Sequence, residues 1–307
     1  MIFDDKTSDY RLKIMDFQKR YESYLAIVEK LINEINERFS AAQQKLGDAM
    51  KYSVSSGGKR LRPVMFLSAL DAFGSKDERF YPLAAAIECI HTYSLVHDDL
   101  PAMDNDDMRR GKPSTHKTFG EDYAVITGDA LLNFAFEMCF KVVSDCGGSE
   151  NVVKACSYIA ERAGYLGMIG GQAYDIDEEN KQNSEEYLLK VDKLKTAELF
   201  KAAIVSAGLL CGRYTPALEE FAEKLGVTFQ FADDLLDVSG EEKLVGKTLG
   251  KDEKYGKVTA ISVYGKEKTK ELIDGLKERC LELAEQAGLS SDGFYPELIK
   301  KLAARTY

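Results

Sequence analysis

Apolar residues recur at three- and four-residue spacing through most of the 307-residue chain, the repeat of helices that bury one face. The pattern predicts helices over roughly residues 10–38, 61–73, 77–98, 119–144, 150–173, 184–210, 215–238, 266–287 and 293–304. Breakers separate them: SSGGK at 55–59, RRGKPS at 109–114, CGGSE at 146–150, and SGEEKLVGKTLGKDEKYGK at 239–257. The two-residue alternation of a half-buried strand is nearly absent. No Pro/Ser-rich linker or short repeat divides the chain. The expectation is all-α: one domain over residues 1–307, a helical bundle around a central cavity into which functional side chains project.

Two acidic clusters interrupt this pattern. In HDDLPAMDNDDMRRG, from His97 to Gly111, five aspartates fall within ten residues and two arginines follow. Two carboxylates ~6 Å apart repel by roughly 0.7 kcal/mol in water and ~3 kcal/mol at an effective dielectric near 20, so such a cluster calls for a cation. Pro101 disfavours helical geometry at Leu100, so the helix carrying Asp98 should end there and let Asp104 swing back towards it. His91, Ser94 and Asp98 share one line on that helix, within about 40° of one another. The second cluster, FQFADDLLDVSG, sets Asp233, Asp234 and Asp237 in an apolar helical run. Asp233 and Asp237 lie about 40° apart with Gln230 about 60° from Asp233, one polar stripe facing a cavity.

Hard oxygen donors without histidine or thiolate suit Mg²⁺, which keeps waters and shares carboxylates with substrate phosphates. A calcium loop starting at Asp104 fails, with Arg109 at the glycine position and Thr115 where the bidentate Glu belongs. Basic residues supply the complement: Lys59, Arg60 and Arg62 in GGKRLRP at a loop-to-helix junction, Arg109 and Arg110, then Lys195, Lys247 and Lys257. GEEKLVGKT at 240–248 has five residues between Gly240 and Gly246 and no strand before it, so it is not a phosphate-binding P-loop.

Composition narrows the class further. A net charge of −10 and pI near 5.1 argue against a nucleic-acid binder. No apolar run reaches the ~18 residues of a bilayer span and the start has no signal-peptide pattern, so the expectation is a cytoplasmic protein. The six cysteines contain no C-x-x-C pair and sit among apolar neighbours, as buried free thiols do.

Seven segments in order, GGKRLRP, HDDLPAMDNDDMRRGKPSTH, FGEDYAVITGDALL, GMIGGQAYDI, LKTAELF, FQFADDLLD and GKTLGKD, resemble the trans-isoprenyl diphosphate synthases, and most closely the bacterial farnesyl diphosphate synthase group. The resemblance implies head-to-tail condensation of dimethylallyl or geranyl diphosphate with isopentenyl diphosphate. Asp98, Asp104 and Asp233, with Asp99 and Asp237, would bind Mg²⁺, three ions with substrate present, bridging the allylic diphosphate. Arg109, Lys195, Lys247 and Lys257 would neutralise that leaving group, and Lys59, Arg62, His91 and Arg110 would hold isopentenyl diphosphate. Thr196 and Gln230 match residues whose oxygens face the allylic cation. Tyr93, with Ser94 beside it, matches the position whose bulk limits chain length, and a homodimer is the family expectation. Ala197 and Asp192 depart from the family's more frequent Gly and His.

Three other activities compete. A geranylgeranyl diphosphate synthase would differ in product length. A terpene cyclase would need one diphosphate site, against the second suggested by Lys59, Arg62 and His91. A non-catalytic partner subunit is disfavoured by two complete aspartate motifs.

Overall fold

A computed structural model of the chain describes residues 5–177, 179–239, 257–291 and 293–304. It is 76% helical, and its only strands among the described residues are the two-residue pair Met108–Arg109 and Lys112–Pro113. Arg110 and Gly111, both at positive φ (54° and 76°), turn that hairpin. The order is α1 (Asp5–Phe39), α2 (Gln44–Val54), α3 (Leu61–Ala72), α4 (Pro82–Asp98), α5 (Thr115–Phe119), α6 (Glu121–Asp145) and α7 (Glu150–Ala163). Then come α8 (Met168–Asp175), α9 (Glu185–Val191), a π-helical turn (Asp192–Ala197), α10 (Glu198–Leu210), α11 (Pro216–Ser239), α12 (Ala260–Tyr264), α13 (Lys266–Gln286) and α14 (Phe294–Ala304).

Four differences from the periodicity reading have local causes. Helix α2 was not anticipated: its 11 residues include a glycine and few large apolar side chains. The run over 150–173 breaks at Gly164–Gly167, between α7 and α8. The run over 184–210 keeps its direction but carries the π turn, whose extra residue per turn shifts side-chain phase without stopping the helix. Helix α12 is a five-residue turn with a Thr259–Ser262 capping box, too short to show a period.

One core runs from Phe17 of α1 to Leu302 of α14, with α3, α4, α6, α7, α10 and α11 around it. Helix α10 is buried along nearly its whole length, including Phe200, Ile204 and Val205. A second, smaller cluster joins Leu188, Val227, Phe231, Ala260 and Ile273, seating α12 and α13 against α11. Among the described residues α6 alone has the length and mean hydropathy, 1.2 over 18 residues, of a bilayer span. Its Leu131, Ala135 and Met138 nevertheless point into the core, and α4 packs against it. All six cysteines are free, and Cys89, Cys139, Cys156 and Cys280 are buried.

Candidate active site

Helices α4, α6, α8, α11 and the π turn enclose a cavity of about 760 Å³. Helix α4 ends at Asp98, as Pro101 requires, and the chain folds back so that the Asp104 N–H donates to the Asp98 carbonyl at 2.8 Å. That return places Asp98 and Asp104 on one wall, while α11 sets Gln230 and Asp233 on another. Burial pushes the Asp98 carboxyl above its ordinary range; Lys195 pulls it back and Asp104 raises it again. Lys195 Nζ lies 2.6 Å from Asp175 Oδ2, and Lys257 Nζ lies 3.0 Å from Asp104 Oδ2, so fixed cations stand on both sides of the acidic walls.

The π turn is what delivers Lys195 and Thr196 to this cavity. Helix α8 presses against it where residue 171 is glycine: a Cβ there would fall 2.1 Å from the Lys195 backbone nitrogen. The Thr196 hydroxyl donates to Gln230 Oε1 at 3.0 Å, and Gln230 Nε2 donates to Asp234 Oδ1 at 2.8 Å. Asp234 also accepts from the Ala260 N–H at 2.8 Å, so it anchors α12. The chain of bonds fixes the amide orientation and leaves the Thr196 oxygen lone pairs unspent by that contact.

A second group of cations gathers beside α4. Arg62 Nη1 and Arg110 Nη2 lie 3.4 and 3.5 Å from His91 Nε2. Guanidinium can only donate, so Nε2 accepts and His91 is neutral with its proton on Nδ1. Burial, and then Arg62 and Arg110, hold its pKa well below 6.5. Arg110 also donates to the Gly57 carbonyl, tying the hairpin to the GGKRLRP loop, in which Lys59 is exposed. Beneath it Arg60 is buried at φ 49°, bonded to Glu88, Glu29 and the Val54 carbonyl. Two guanidiniums converging on one neutral ring make a ready anion site.

Several expected residues lie elsewhere. Asp99, read as a metal ligand, does not line the cavity. One helical step past Asp98 turns it by about 100°, and it is buried against Arg109, whose Nε lies 2.9 Å from Oδ1. Arg109 is thereby braced by Asp99 and Asp106 while still lining the cavity. Asp237 is half-buried one turn beyond the lining residues of α11, and Lys247 falls outside the described residues. Tyr93 and Ser94 both line the cavity. Sequence reasoning missed Asp175, the partner of Lys195, although GMIGGQAYDI carried it. It also gave no role to Asp192, which lines the cavity with Oδ2 unpartnered and its carboxyl held well above the ordinary range by burial and then by Asp234 and Asp175.

The chain that carries these residues is similar to known proteins over most of its length. The polyprenyl synthetase profile covers residues 43–287. The chain belongs to the polyprenyl synthetase family. It is 38% identical over 265 residues to the farnesyl diphosphate synthase of Bacillus subtilis (strain 168), covering 85% of this chain and 89% of that protein. It is 39% identical over 287 residues to the large subunit 1 of the chloroplastic heterodimeric geranylgeranyl pyrophosphate synthase of Arabidopsis thaliana, covering 91% and 77%. A geranyltransferase structure from Legionella pneumophila superposes with a TM-score of 0.81 at 29% identity, covering 95% of this chain and 98% of that one. This polyprenyl synthetase is therefore a trans-prenyl transferase of isoprenoid biosynthesis.

Among the described residues no three carboxylates converge to hold a metal ion unaided. The donors are nevertheless all carboxylate oxygens on facing walls, the chemistry that suits an ion completing its shell with water and phosphate oxygens.

Proposed function

We propose that this polyprenyl synthetase condenses dimethylallyl or geranyl diphosphate with isopentenyl diphosphate and stops at farnesyl diphosphate. Lys195, Lys257, Arg109 and Lys247 would take the charge that develops as the allylic C–O bond breaks and its electron pair leaves with diphosphate. Thr196 and Gln230 turn oxygen towards the allylic cation. Lys59, Arg62, His91 and Arg110 hold isopentenyl diphosphate so that its alkene attacks that cation, after which the released diphosphate takes the proton. Mg²⁺ held through Asp98, Asp104, Asp233 and Asp237 would supply Lewis-acid stabilisation of the departing diphosphate. The apolar lining of the cavity excludes the water that would quench the cation.

Tyr93 carries the product length. It is 5% exposed, lines the cavity and stands five residues before Asp98 on α4, about 7.5 Å back along the helix axis. A growing prenyl chain meets the ring before it can take a further isoprene unit. Incubation with dimethylallyl and isopentenyl diphosphates, dephosphorylation and chromatography should give the C15 alcohol, and Tyr93→Ala should give longer products. An unchanged C15 profile from an active Tyr93→Ala enzyme places the wall elsewhere. A C20 product from the native protein would favour the second reading, geranylgeranyl diphosphate synthesis, which relatives of similar identity support.

The same domain is proposed to act as a homodimer. Helices α6 and α7 and the turn after them leave Ile126, Phe140, Val153, Tyr165 and Leu166 exposed, a quantity of apolar surface suited to a second copy. Light scattering on the purified protein distinguishes a dimer from a monomer.

A further inference from the structure

Where α4 meets α6 the two helices form one side wall of the cavity, beside Asp98. Tyr93 and His97 stand one turn apart on α4 and both line it, with ring centroids 5.8 Å apart and planes at 84°. His97 reaches across to α6, where Nε2 lies 3.0 Å from the Val125 carbonyl oxygen. A carbonyl only accepts, so Nε2 carries the proton in this contact. Asp129 Oδ1 lies 4.0 Å from the same nitrogen.

The imidazole fits there because residue 128 is glycine. A Cβ at Gly128 would lie 2.0 Å from His97 Nε2 and 2.4 Å from Cδ2. Those atoms are the tip of a side chain with two torsions, so the ring would yield before the helix backbone did. Past His97 the lining passes to Val125, Asp129 and Leu132 of α6, and Val125 is 43% exposed. The imidazole thus fills the junction of α4 and α6 as part of the cavity wall.

We propose that His97, seated in the notch left by Gly128, is a second determinant of product length, closing the cavity on the α6 side of Tyr93. The inference rests on the reading of the cavity as the channel for the growing prenyl chain. Its two halves act in opposite directions. Deleting the ring in His97→Ala opens the channel towards α6 and lengthens the product with Tyr93 intact. Adding a methyl group in Gly128→Ala drives the ring off α6 into the cavity and shortens the product. In the double variant His97→Ala/Gly128→Ala no ring remains to displace, and the product should follow His97→Ala.

The assay is the product ratio at low conversion with excess isopentenyl diphosphate, which does not depend on turnover rate; circular dichroism confirms folding. The C20:C15 ratio should rise in His97→Ala and the C10:C15 ratio in Gly128→Ala. Each change should be about tenfold or more, the discrimination that one or two methylene-sized volumes command in an apolar pocket. Should Gly128→Ala misfold, His97→Ala still decides the matter. Native C15 with unaltered ratios in folded His97→Ala would overturn the role of His97 alone. A double variant with the short products of Gly128→Ala would overturn it too, since the effect would then not pass through the ring. A native product other than C15 would overturn the reading of Tyr93 as the wall, and the direction of the His97 shift would still decide the second.

Discussion

Glu88→Ala tests how the GGKRLRP loop is held. The Arg60 and Glu88 side chains are 1% and 3% exposed and pair at 2.8 Å. Removing one partner of such a buried pair leaves an uncompensated charge and costs about 3–5 kcal/mol. Glu29 also contacts Arg60, at 2.9 Å, but is 46% exposed, so its residual pairing returns at most about 1 kcal/mol. The expected loss is therefore about 3 kcal/mol, or a melting temperature lower by about 5 °C for a chain of this size. Arg60 occupies the left-handed region at φ 49°, a conformation its surroundings must impose. Loosening it should displace Lys59 and Arg62 and raise the KM for isopentenyl diphosphate more than that for the allylic substrate. Replacing both partners, in Arg60→Met/Glu88→Leu, removes the buried charge and should recover at least half of the stability. Urea denaturation with steady-state kinetics provides both readouts. A Glu88→Ala protein within about 1 kcal/mol of native, or a double variant no more stable than the single one, would refute the reasoning.

Asp98→Ala and Asp233→Ala should each reduce turnover by orders of magnitude with helicity and melting nearly unchanged; near-native turnover in either would remove that wall from the mechanism. Arg110→Ala or Lys59→Ala should chiefly raise the KM for isopentenyl diphosphate and Arg109→Ala that for the allylic substrate, so indistinguishable KM changes would break the assignment of two sites. His91 has a depressed pKa in the fold, so below about pH 6.5 the unfolded chain binds the extra proton. Native stability should then be complete above that pH and fall as pH drops, by up to about 1.4 kcal/mol per unit relative to His91→Gln. Parallel stability profiles for the two proteins would show that His91 is not held neutral.

Helix after helix was legible from apolar spacing because burying one face is a local, periodic demand that the tertiary fold only selects. The turn at Pro101 was legible for a similar reason: its ring constrains the adjacent backbone, and Asp104 does return to Asp98. What no local rule contains is direction across the bundle. Asp98 and Asp99 are neighbours of the same chemistry, yet one faces the cavity and the other is buried against Arg109, ten residues on. The π turn was invisible because one extra residue in a turn leaves the helix-forming character of DKLKTA and its flanks unchanged, and only the packing of α8 through Gly171 and the cavity lining show that it turns Lys195 and Thr196 inward. Asp175, Asp192 and Gly128 gained meaning only when helices distant in sequence met Lys195, Asp234 and His97. The sequence by itself determined which chemistry the chain could assemble, acidic walls with cations and an apolar lining. Tertiary packing decided which carboxylates face one another and where the cavity ends, because those depend on contacts between segments whose separation along the chain encodes no distance.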